Sequence, residues 1–184
     1  MAVKKLNSLR INAGEWRSRV IKFPEAEGLR PTPERVRQTI FNWLGQDLTG
    51  LTCLDLFAGT GVMGFEALSR NAKSAIMVEK SPVVYRAMLV NQSTLKADRA
   101  QILHMDALSY LEKTQQLFDV IFLDPPYNKG WLDKVLRRLP AHLAPQGVVY
   151  VEAEYALAED NVWQVFKYSK AGNVFYHLLK LRDE

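Results

Sequence analysis

The segment "DLFAGTGVMGFEAL", residues 55–68, decides the fold and limits the kind of ligand that the protein could bind. Three glycines within it, Gly59, Gly61 and Gly64, form the pattern G-x-G-x-x-G. That pattern is typical of the loop between a buried strand and the next helix in dinucleotide-binding folds, where the glycines allow close backbone approach. We therefore predict a nucleoside-binding strand, loop and helix here, although the pattern alone leaves the nucleoside open.

Beyond residue 50, apolar strand-like segments alternate with helical segments, which implies parallel β-α-β units. The predicted strands are "LTCLDLF", "SAIMVE", "AQILH", "FDVIFLD" and "GVVYVEA", and the predicted helices are "VMGFEALSR", "PVVYRAMLVNQSTL", "ALSYLEK" and "WLDKVLRRLPAHL". Two last strands, "VWQVFKYSK" and "NVFYHLLKL", have only Ala171 and Gly172 between them, which favours an antiparallel hairpin. The predicted fold is α/β and Rossmann-like, a mostly parallel sheet that ends in this hairpin.

The N-terminal segment, residues 1–50, is predicted to form a small arm beside a main domain of residues 51–184. The pattern of "RINAGEWRSRVIKF" favours a short β-hairpin over residues 9–23. Thr32 and Pro33 favour the start of a helix, with Thr32 as its N-cap and Pro33 at its first position.

Positive charge is concentrated in this arm. Residues 1–37 contain nine Lys or Arg and four Glu, whereas residues 38–184 contain 15 Lys or Arg and 16 Asp or Glu. A concentrated basic surface is what contact with nucleic acid requires. A solvated surface that happens to be basic would have the same composition, so the charge alone leaves both interpretations open.

The composition is that of an ordinary globular domain. The chain has 184 residues, of which 48% are apolar and 24% charged, and this suits one main domain. No apolar run approaches the roughly 18 residues of a membrane span. The single cysteine, Cys53, cannot form an internal disulfide, which fits a reducing, cytoplasmic environment. The three histidines are scattered, so no metal site is expected.

Asp55 distinguishes between the candidate nucleosides. It ends the first strand of the predicted parallel sheet and so faces the crevice in which such sheets bind ligands. A pyrophosphate there would meet a carboxylate, and like charges a few ångströms apart cost on the order of several kcal/mol at an effective dielectric of about 20. S-adenosylmethionine has no phosphate and carries an ammonium and a sulfonium, which a carboxylate favours. We therefore predict that the loop binds this methyl donor.

Two further acids follow neighbouring strands. Glu79 comes 20 residues after Gly59, the spacing of a ribose-binding acid. Asp106 could accept a hydrogen bond from an adenine amino group while the Ala107 amide donates to the ring, or it could simply cap the next helix. The predicted donor-binding residues are Asp55, Phe57, Ala58, Gly59, Gly61, Glu79, Lys80, Asp106, Ala107 and Asp124.

The tetrapeptide Asp124-Pro125-Pro126-Tyr127, after the fourth predicted strand, indicates the chemistry. Adjacent prolines hold the backbone extended, so the Asp124 side chain and the Pro125 carbonyl could accept both N–H bonds of an exocyclic base amine. Such an amine is a poor nucleophile because its lone pair is delocalised, and the two acceptors favour its reactive, pyramidal form. Tyr127 could stack on a flipped base. We predict direct methyl transfer with these four residues as the catalytic loop.

Several segments together resemble one family. "GEWRSR", "GLRPTPERVRQTIFNWL", "CLDLFAGTGVMGFEALSR", "VEKS" and "DVIFLDPPYNKG" are similar to the bacterial 16S ribosomal RNA guanine-N2 methyltransferases. The resemblance implies a class I methyltransferase fold, S-adenosylmethionine as donor, and N2 of one guanine in small-subunit RNA as target, within an assembled or assembling 30S particle. Ser18 departs from a common glycine and Pro33 from a common threonine, both outside the catalytic loop. The resemblance also implies that the arm contacts RNA, with Arg10, Arg17, Arg19, Arg30, Thr32 and Arg35 as the predicted residues.

Three other functions are weaker alternatives. A DNA adenine-N6 methyltransferase uses the same Asp-Pro-Pro-Tyr loop, but it needs additional chain to read DNA, and this sequence offers only residues 1–50. A nucleic-acid-binding module without catalysis would not need an intact acceptor loop. An NAD-dependent oxidoreductase is disfavoured by Asp55 and by the lack of a plausible hydride-site acid.

Overall fold

The computed structural model describes residues 6–127 and 130–182, and within them the predicted alternation of strands and helices is confirmed. Asn128 and Lys129 of the predicted acceptor segment, and Lys4 and Lys5 of the basic arm, lie outside the described residues. The strands are β1 (Asn7–Arg10), β2 (Val20–Phe23), β3 (Thr52–Asp55), β4 (Ser74–Glu79), β5 (Ala100–His104), β6 (Phe118–Leu123), β7 (Leu143–Ala153), β8 (Trp163–Ala171) and β9 (Val174–Leu181), and the helices are α1 (Glu34–Leu44), α2 (Val62–Ser69), α3 (Pro82–Leu95), α4 (Ala107–Lys113) and α5 (Trp131–Leu136).

Seven of these strands form the central sheet, in the order β5-β4-β3-β6-β7-β9-β8. β3 to β7 run parallel, and β9 pairs antiparallel with both β7 and β8. The predicted C-terminal hairpin is therefore present at one edge of the sheet. The strand order reverses between β3 and β6, and ligands of such sheets bind at this switch point, beyond the carboxyl ends of the strands.

Hydrophobic cores cover both faces of the sheet. One core joins the sheet to α2, α3, α1 and the N-terminal segment, and it includes Ile11, Trp16 and Ile40. The other joins the sheet to α4 and α5, with Tyr110 and Val135 among its members. The parallel strands are buried on both sides, which explains their continuous apolar sequences.

The third glycine of the motif lies where α2 packs against the sheet. A Cβ atom at Gly64 would lie 2.5 Å from Sδ of Met77 on β4, so α2 can approach the sheet this closely only with glycine there. Gly61 stands at the N-cap of α2 with φ +78°, in the left-handed region that favours glycine. Both residues therefore help to set the position of α2, and donor binding by Gly61 stays a prediction.

The predicted N-terminal hairpin is present and begins two residues earlier than predicted, at Asn7, and its loop bonds to α2. β1 and β2 contribute four residues each, in antiparallel register. In the loop, the backbone N–H of Glu15 donates to the carbonyl of Ser69 (2.7 Å), and that of Trp16 donates to Ser69 Oγ (2.9 Å). A Cβ at Gly14 would lie 1.8 Å from the Ser69 carbonyl oxygen. The arm is therefore fitted directly against the end of α2.

A buried ion-pair triad joins the same arm to the sheet domain. Glu66 on α2 is fully buried, with Arg37 Nη1 2.7 Å from its Oε1 and Arg70 Nη1 paired with its Oε2. Arg37 also donates to the carbonyls of Arg10 (2.9 Å) and Thr32 (3.1 Å). Burial lowers the pKa of Arg37, and the Glu66 carboxylate opposes that change. Arg37 therefore counts towards the net positive charge of the arm, but because it is buried it does not contribute to the arm's positively charged surface.

Two local predictions were wrong. Pro33, not Thr32, occupies the N-cap position of α1, and no side-chain cap bond is made there. The hydroxyl of Thr32 instead donates to Glu152 Oε1 (3.2 Å). The segment predicted as one helix after Gly130 is α5 followed by a 3-10 turn, Leu139–His142. Pro140 explains the break, since proline removes a helical hydrogen bond and clashes with the preceding turn.

Among residues 6–127 and 130–182, no helix is both long enough and apolar enough to cross a membrane.

The triad predicts an unequal effect of two neighbouring arginine substitutions. Arg37→Met would leave Glu66 with one buried partner, and we expect the free energy of unfolding to fall by about 3–5 kcal/mol. Arg35→Met, on the exposed side of the same helix, should change it by less than about 0.5 kcal/mol. Urea denaturation of the two variants measures the difference, and equal effects would show that the triad does not stabilise the fold.

Candidate active site

A crevice opens where β3 and β6 end. One wall is the segment of residues 28–32 from the N-terminal arm. The opposite wall is formed by the end of β3 and the glycine loop, with Asp55 and residues 57–60 among its lining residues. Phe122, Asp124 and Tyr150 also line it. The N-terminal arm thus builds part of the predicted donor site, which the sequence analysis had not foreseen.

The glycine loop is tied to the end of β4 by Glu79. Its Oε2 accepts from the backbone N–H of Gly59 (2.9 Å), and its Oε1 accepts from that of Ser81 (2.6 Å). Gly59 has φ +53°, and a Cβ there would lie 3.1 Å from a methyl carbon of Leu29 on the opposite wall. A carboxylate oxygen can accept more than one hydrogen bond, so Glu79 can hold this loop and still accept from a ligand.

Asp55 is buried with its charge uncompensated. Its side chain is 4% exposed, and its Oδ2 has no hydrogen-bond partner among the described residues. The pKa of Asp55 is raised to about 7, mainly by burial; the carboxylates of Glu79 and Glu152 add to the increase, and the backbone N–H of Gly64 opposes it. A buried acceptor without a partner is costly, so a ligand that donates to this oxygen would remove that cost.

Asp124 shares the same electrostatic environment. Loss of hydration raises its pKa well above the usual value, and the carboxyls of Glu152 and Asp55 raise it further. Pro125 is buried and Pro126 exposed, while Tyr127 is half-buried. The predicted catalytic loop therefore begins inside the crevice and turns outward within two residues.

The same acids affect the pKa of the Tyr127 hydroxyl. Burial raises the pKa of its hydroxyl to about 12, and the carboxyls of Asp124 and Glu152 contribute to the shift, while Arg30 opposes it. The phenol is therefore neutral at physiological pH. Its half-buried ring beside Asp124 is placed to contact a planar group that enters the loop.

Glu152 is a site residue that the sequence analysis missed. It is 7% exposed near the end of β7, and its Oε1 accepts from Tyr150 Oη (2.7 Å) and from Thr32 Oγ1 (3.2 Å). Burial raises its pKa, and these two hydrogen bonds oppose the change. The signal was a single acid in the otherwise apolar strand "GVVYVEA", which predicts a buried carboxylate.

The other predicted donor residues, Lys80, Asp106 and Ala107, follow the ends of β4 and β5 and are not among the residues that line the crevice. Asp106 Oδ1 caps α4 by accepting from the backbone N–H groups of Leu108 (3.0 Å) and Ser109 (3.2 Å). The alternative capping role of Asp106 is thus present, and contact with adenine stays a prediction for it and for Ala107. Lys80 is exposed, and its carbonyl lies 3.0 Å from His104 Nε2.

The predicted RNA-binding residues fall into two groups. Arg30 and Thr32 line the crevice, although Thr32 is buried and held by Glu152. The other four are exposed, and two of them bond to backbone carbonyls: Arg10 to Ser18 (3.0 Å) and Arg19 to Thr94 (2.9 Å). The four residues of this second group are Arg10, Arg17, Arg19 and Arg35.

The crevice therefore suits a cationic ligand. Glu152 raises the pKa of both Asp55 and Asp124, and Asp55 raises that of Asp124, because these carboxyls lie close together in a weakly hydrated region. A ligand with a positive charge would relieve this repulsion, whereas a pyrophosphate would add to it. An ammonium and a sulfonium on one nucleoside, as in S-adenosylmethionine, fit these residues. Within the described ranges, no three His, Cys, Asp or Glu side chains are grouped to hold a metal ion.

The sheet order, the two helical layers and this crevice define the fold of the class I methyltransferases. The family model described as Conserved hypothetical protein 95 matches residues 9–180, and the chain belongs to that family. Ribosomal RNA small subunit methyltransferase D of Escherichia coli strain K12 is 38% identical over 175 residues, which cover 92% of this chain and 88% of the relative.

Two further comparisons agree. The protein of the same name from Haemophilus influenzae is 38% identical over 178 residues, covering 92% of both chains. The solved structure of yhhF from Escherichia coli is 37% identical, with a TM-score of 0.86, and the match covers 97% of this chain and 100% of that one. The resemblance seen in the sequence motifs is thus confirmed over nearly the whole length of the chain.

The raised pKa of Asp55 predicts a pH-dependent cost to the ligand-free protein. The folded protein keeps a proton on Asp55 up to about pH 7, whereas the unfolded chain loses it near pH 4. Stability should therefore fall as the pH rises from about 4 to 7, by up to about 4 kcal/mol. Asp55→Asn should remove much of this loss and be more stable than the unaltered protein at pH 8.

Urea denaturation at pH 5 and pH 8 measures this effect. Asp98→Asn, at an exposed position, serves as the control and should follow the unaltered protein at both pH values. An Asp55→Asn variant that is less stable at pH 8 would show that the fold itself uses the carboxylate.

Proposed function

We propose that the protein transfers a methyl group from S-adenosylmethionine to the exocyclic N2 of one guanine in small-subunit ribosomal RNA. The observation that carries the proposal is the group of poorly hydrated carboxyls around Asp55 and Asp124, which suits a cationic donor and a neutral amine. The names of the Escherichia coli and Haemophilus influenzae relatives specify ribosomal RNA of the small subunit. N2 of guanine follows from the amino-group acceptor loop and from the resemblance of the sequence motifs.

Three acids at the ends of the neighbouring strands β3, β4 and β5 would hold the donor. The Asp55 carboxylate would face its ammonium group, and Glu79 would accept from the ribose hydroxyls while keeping the Gly59 loop in place. Asp106 Oδ2, opposite the oxygen that caps α4, would accept from the adenine amino group, with Ala107 beside it. The donor supplies an electrophilic methyl group on a sulfonium.

The acceptor loop would prepare the amine for attack. The Asp124 side chain and the Pro125 carbonyl would accept its two N–H bonds, so that the lone pair points towards the methyl group. Tyr127 would stack on the base. The contribution of these residues is positioning and electrostatics, without a covalent intermediate on the enzyme.

The amine loses one proton when the new N–C bond forms. Burial and the neighbouring acids raise the pKa of Asp124, which makes its carboxylate a better proton acceptor than an exposed aspartate. The methylated amine is also a strong acid before it loses the proton, so water could remove it. We propose that Asp124 acts first as a hydrogen-bond acceptor, and a graded substitution tests whether it is needed as a base.

The N-terminal segment, residues 1–50, would form the contact with RNA. Arg30 lines the crevice beside the acceptor loop, and Arg17 and Arg19 extend the basic surface. We propose an assembled or assembling 30S particle as the substrate and the cytoplasm as the location. The buried, unpaired Cys53 is compatible with that compartment.

Donor binding should depend on Glu79. Glu79→Ala removes the proposed acceptor of both ribose hydroxyls and the support of Gly59, and we expect binding of S-adenosylmethionine to weaken by about 1–3 kcal/mol. Glu112→Ala, at an exposed position on α4, should bind the donor normally. Calorimetry measures both, and NAD should not bind to any of the proteins. Unchanged affinity in the Glu79 variant would remove this residue from the donor site.

Asp124 should show a graded response. Asn keeps a side-chain oxygen acceptor but cannot serve as a base, whereas Ala leaves only the backbone carbonyl of the loop. We expect Asp124→Asn to retain measurable methyl transfer to undermethylated small subunits and Asp124→Ala to lose far more. Both should bind RNA and remain folded by circular dichroism. Equal losses would mean that the side-chain oxygen is not the important acceptor.

Replacement of the target guanine by inosine tests the methylated atom. Inosine lacks the N2 amine but keeps the ring face and the carbonyl edge, so methyl transfer at that position should disappear while most of the phosphate-driven affinity remains. Nucleoside analysis after incubation with labelled donor gives the result. Methylation of the inosine would overturn the N2 assignment, and methylation of an adenine placed there would support the adenine-N6 alternative.

A further inference from the structure

The hairpin of β8 and β9 carries an exposed surface of aromatic rings and lysines. Residues 163–181 contain three lysines and no Asp or Glu. The side chain of Tyr168 is 49% exposed and that of Phe166 is 47% exposed. Neither the donor crevice nor either hydrophobic core uses these side chains.

One group of these side chains lies on a single face of the hairpin. Tyr168 pairs with His177 and Lys170 pairs with Phe175 across the two strands. The ring of Tyr168 stacks on that of Phe175, with centroids 6.2 Å apart and planes at 25°. Lys170 Nζ lies 4.7 Å from the Phe175 centroid. We call Tyr168, Lys170 and Phe175 the hairpin cluster.

A second aromatic–lysine pair lies on the opposite face. A shift of register between Val165 and Lys167 leaves Phe166 without a paired residue, and Lys180 Nζ lies 3.9 Å from its ring centroid. Lys180 and Phe175 are five residues apart on β9, and an odd separation places them on opposite faces. This pair has the same chemistry as the hairpin cluster in another position, which makes it a matched control.

The hairpin cluster lies at the same end of the sheet as the candidate active site, the end at which the parallel strands have their carboxyl termini. Phe175 pairs with Ala153, the last residue of β7, and β7 is parallel to β6, which leads into Asp124. β8 is three strand positions away from β6, which corresponds to about 14 Å. Lys180 is five residues farther along β9 than Phe175, which places it about 16 Å from that end of the sheet.

We propose that the hairpin cluster binds unpaired nucleotides next to the base that enters the acceptor loop. This inference rests on the proposed function. Aromatic faces stack on any base, and lysines beside them meet the phosphates of a single strand. RNA fits better than a protein partner, because the centres of protein interfaces are depleted in lysine. The cluster combines an exposed ring, lysine and a complete lack of acids along the hairpin.

The experiment measures binding of a fluorescent, unstructured RNA of about 12 nucleotides, within the usual site sizes for single strands. Tyr168→Ala should weaken binding by about tenfold, because it removes one stacking face, and Tyr168→Phe should restore it. Lys170→Ala should reduce the slope of log K against log salt by about 0.7, the value for one contact to single-stranded phosphate. Phe166→Ala and Lys180→Ala should behave as the unaltered protein does.

Each other outcome decides against the proposal. If Tyr168→Ala binds RNA normally, or if Phe166→Ala is equally impaired, the hairpin cluster is not an RNA site. If Tyr168→Ala methylates small subunits poorly while binding the RNA normally, a protein of the particle is the partner instead. Donor binding, measured by calorimetry, should be unchanged in all variants. An unaltered protein that binds donor and RNA but methylates no ribosomal RNA would refute the proposed function, and the RNA measurements would still decide the hairpin cluster.

Discussion

Burial of Glu66 between Arg37 and Arg70 is the constraint on which the arrangement of the N-terminal segment depends. A carboxylate with no exposed surface requires positive partners, and Arg37 comes from a helix outside the main sheet domain. Because Arg37 also bonds to the carbonyls of Arg10 and Thr32, it fixes both the hairpin and the segment that lines the crevice. One buried charge on α2 therefore places a wall of the donor site.

The acids of the crevice differ from Glu66 in how their charge is compensated. Glu66 has its charge compensated by two arginines, whereas Asp55 has a buried oxygen with no hydrogen-bond partner in the part of the chain that the structure describes, and it lies near two further acids. Such an arrangement destabilises the ligand-free fold and is typical of functional sites. The protein thus uses compensated burial to position its elements and uncompensated burial to select a cationic ligand.

The sequence predicted the elements better than it predicted their contacts. The bounds of β4, β5, α3 and α4 agree with the predicted segments to the residue, because apolar runs and a helix-starting proline or aspartate mark their ends. Thr32 was misassigned as a cap because its partner, Glu152, is 120 residues away in the sequence. Periodicity and turn signals are local, so they carry no information on a contact of that length.

The open edge of the sheet has a consequence for self-association. β8 is the last strand in the order. It pairs with β9 on one side, and within the described residues the other side of this nine-residue strand is open, so a second chain could extend the sheet there. Lys167 and Lys170 would bring like charges together in such a pairing, and the bulge at Phe166 interrupts the regular spacing of backbone groups. Both features disfavour the pairing of a second chain along β8.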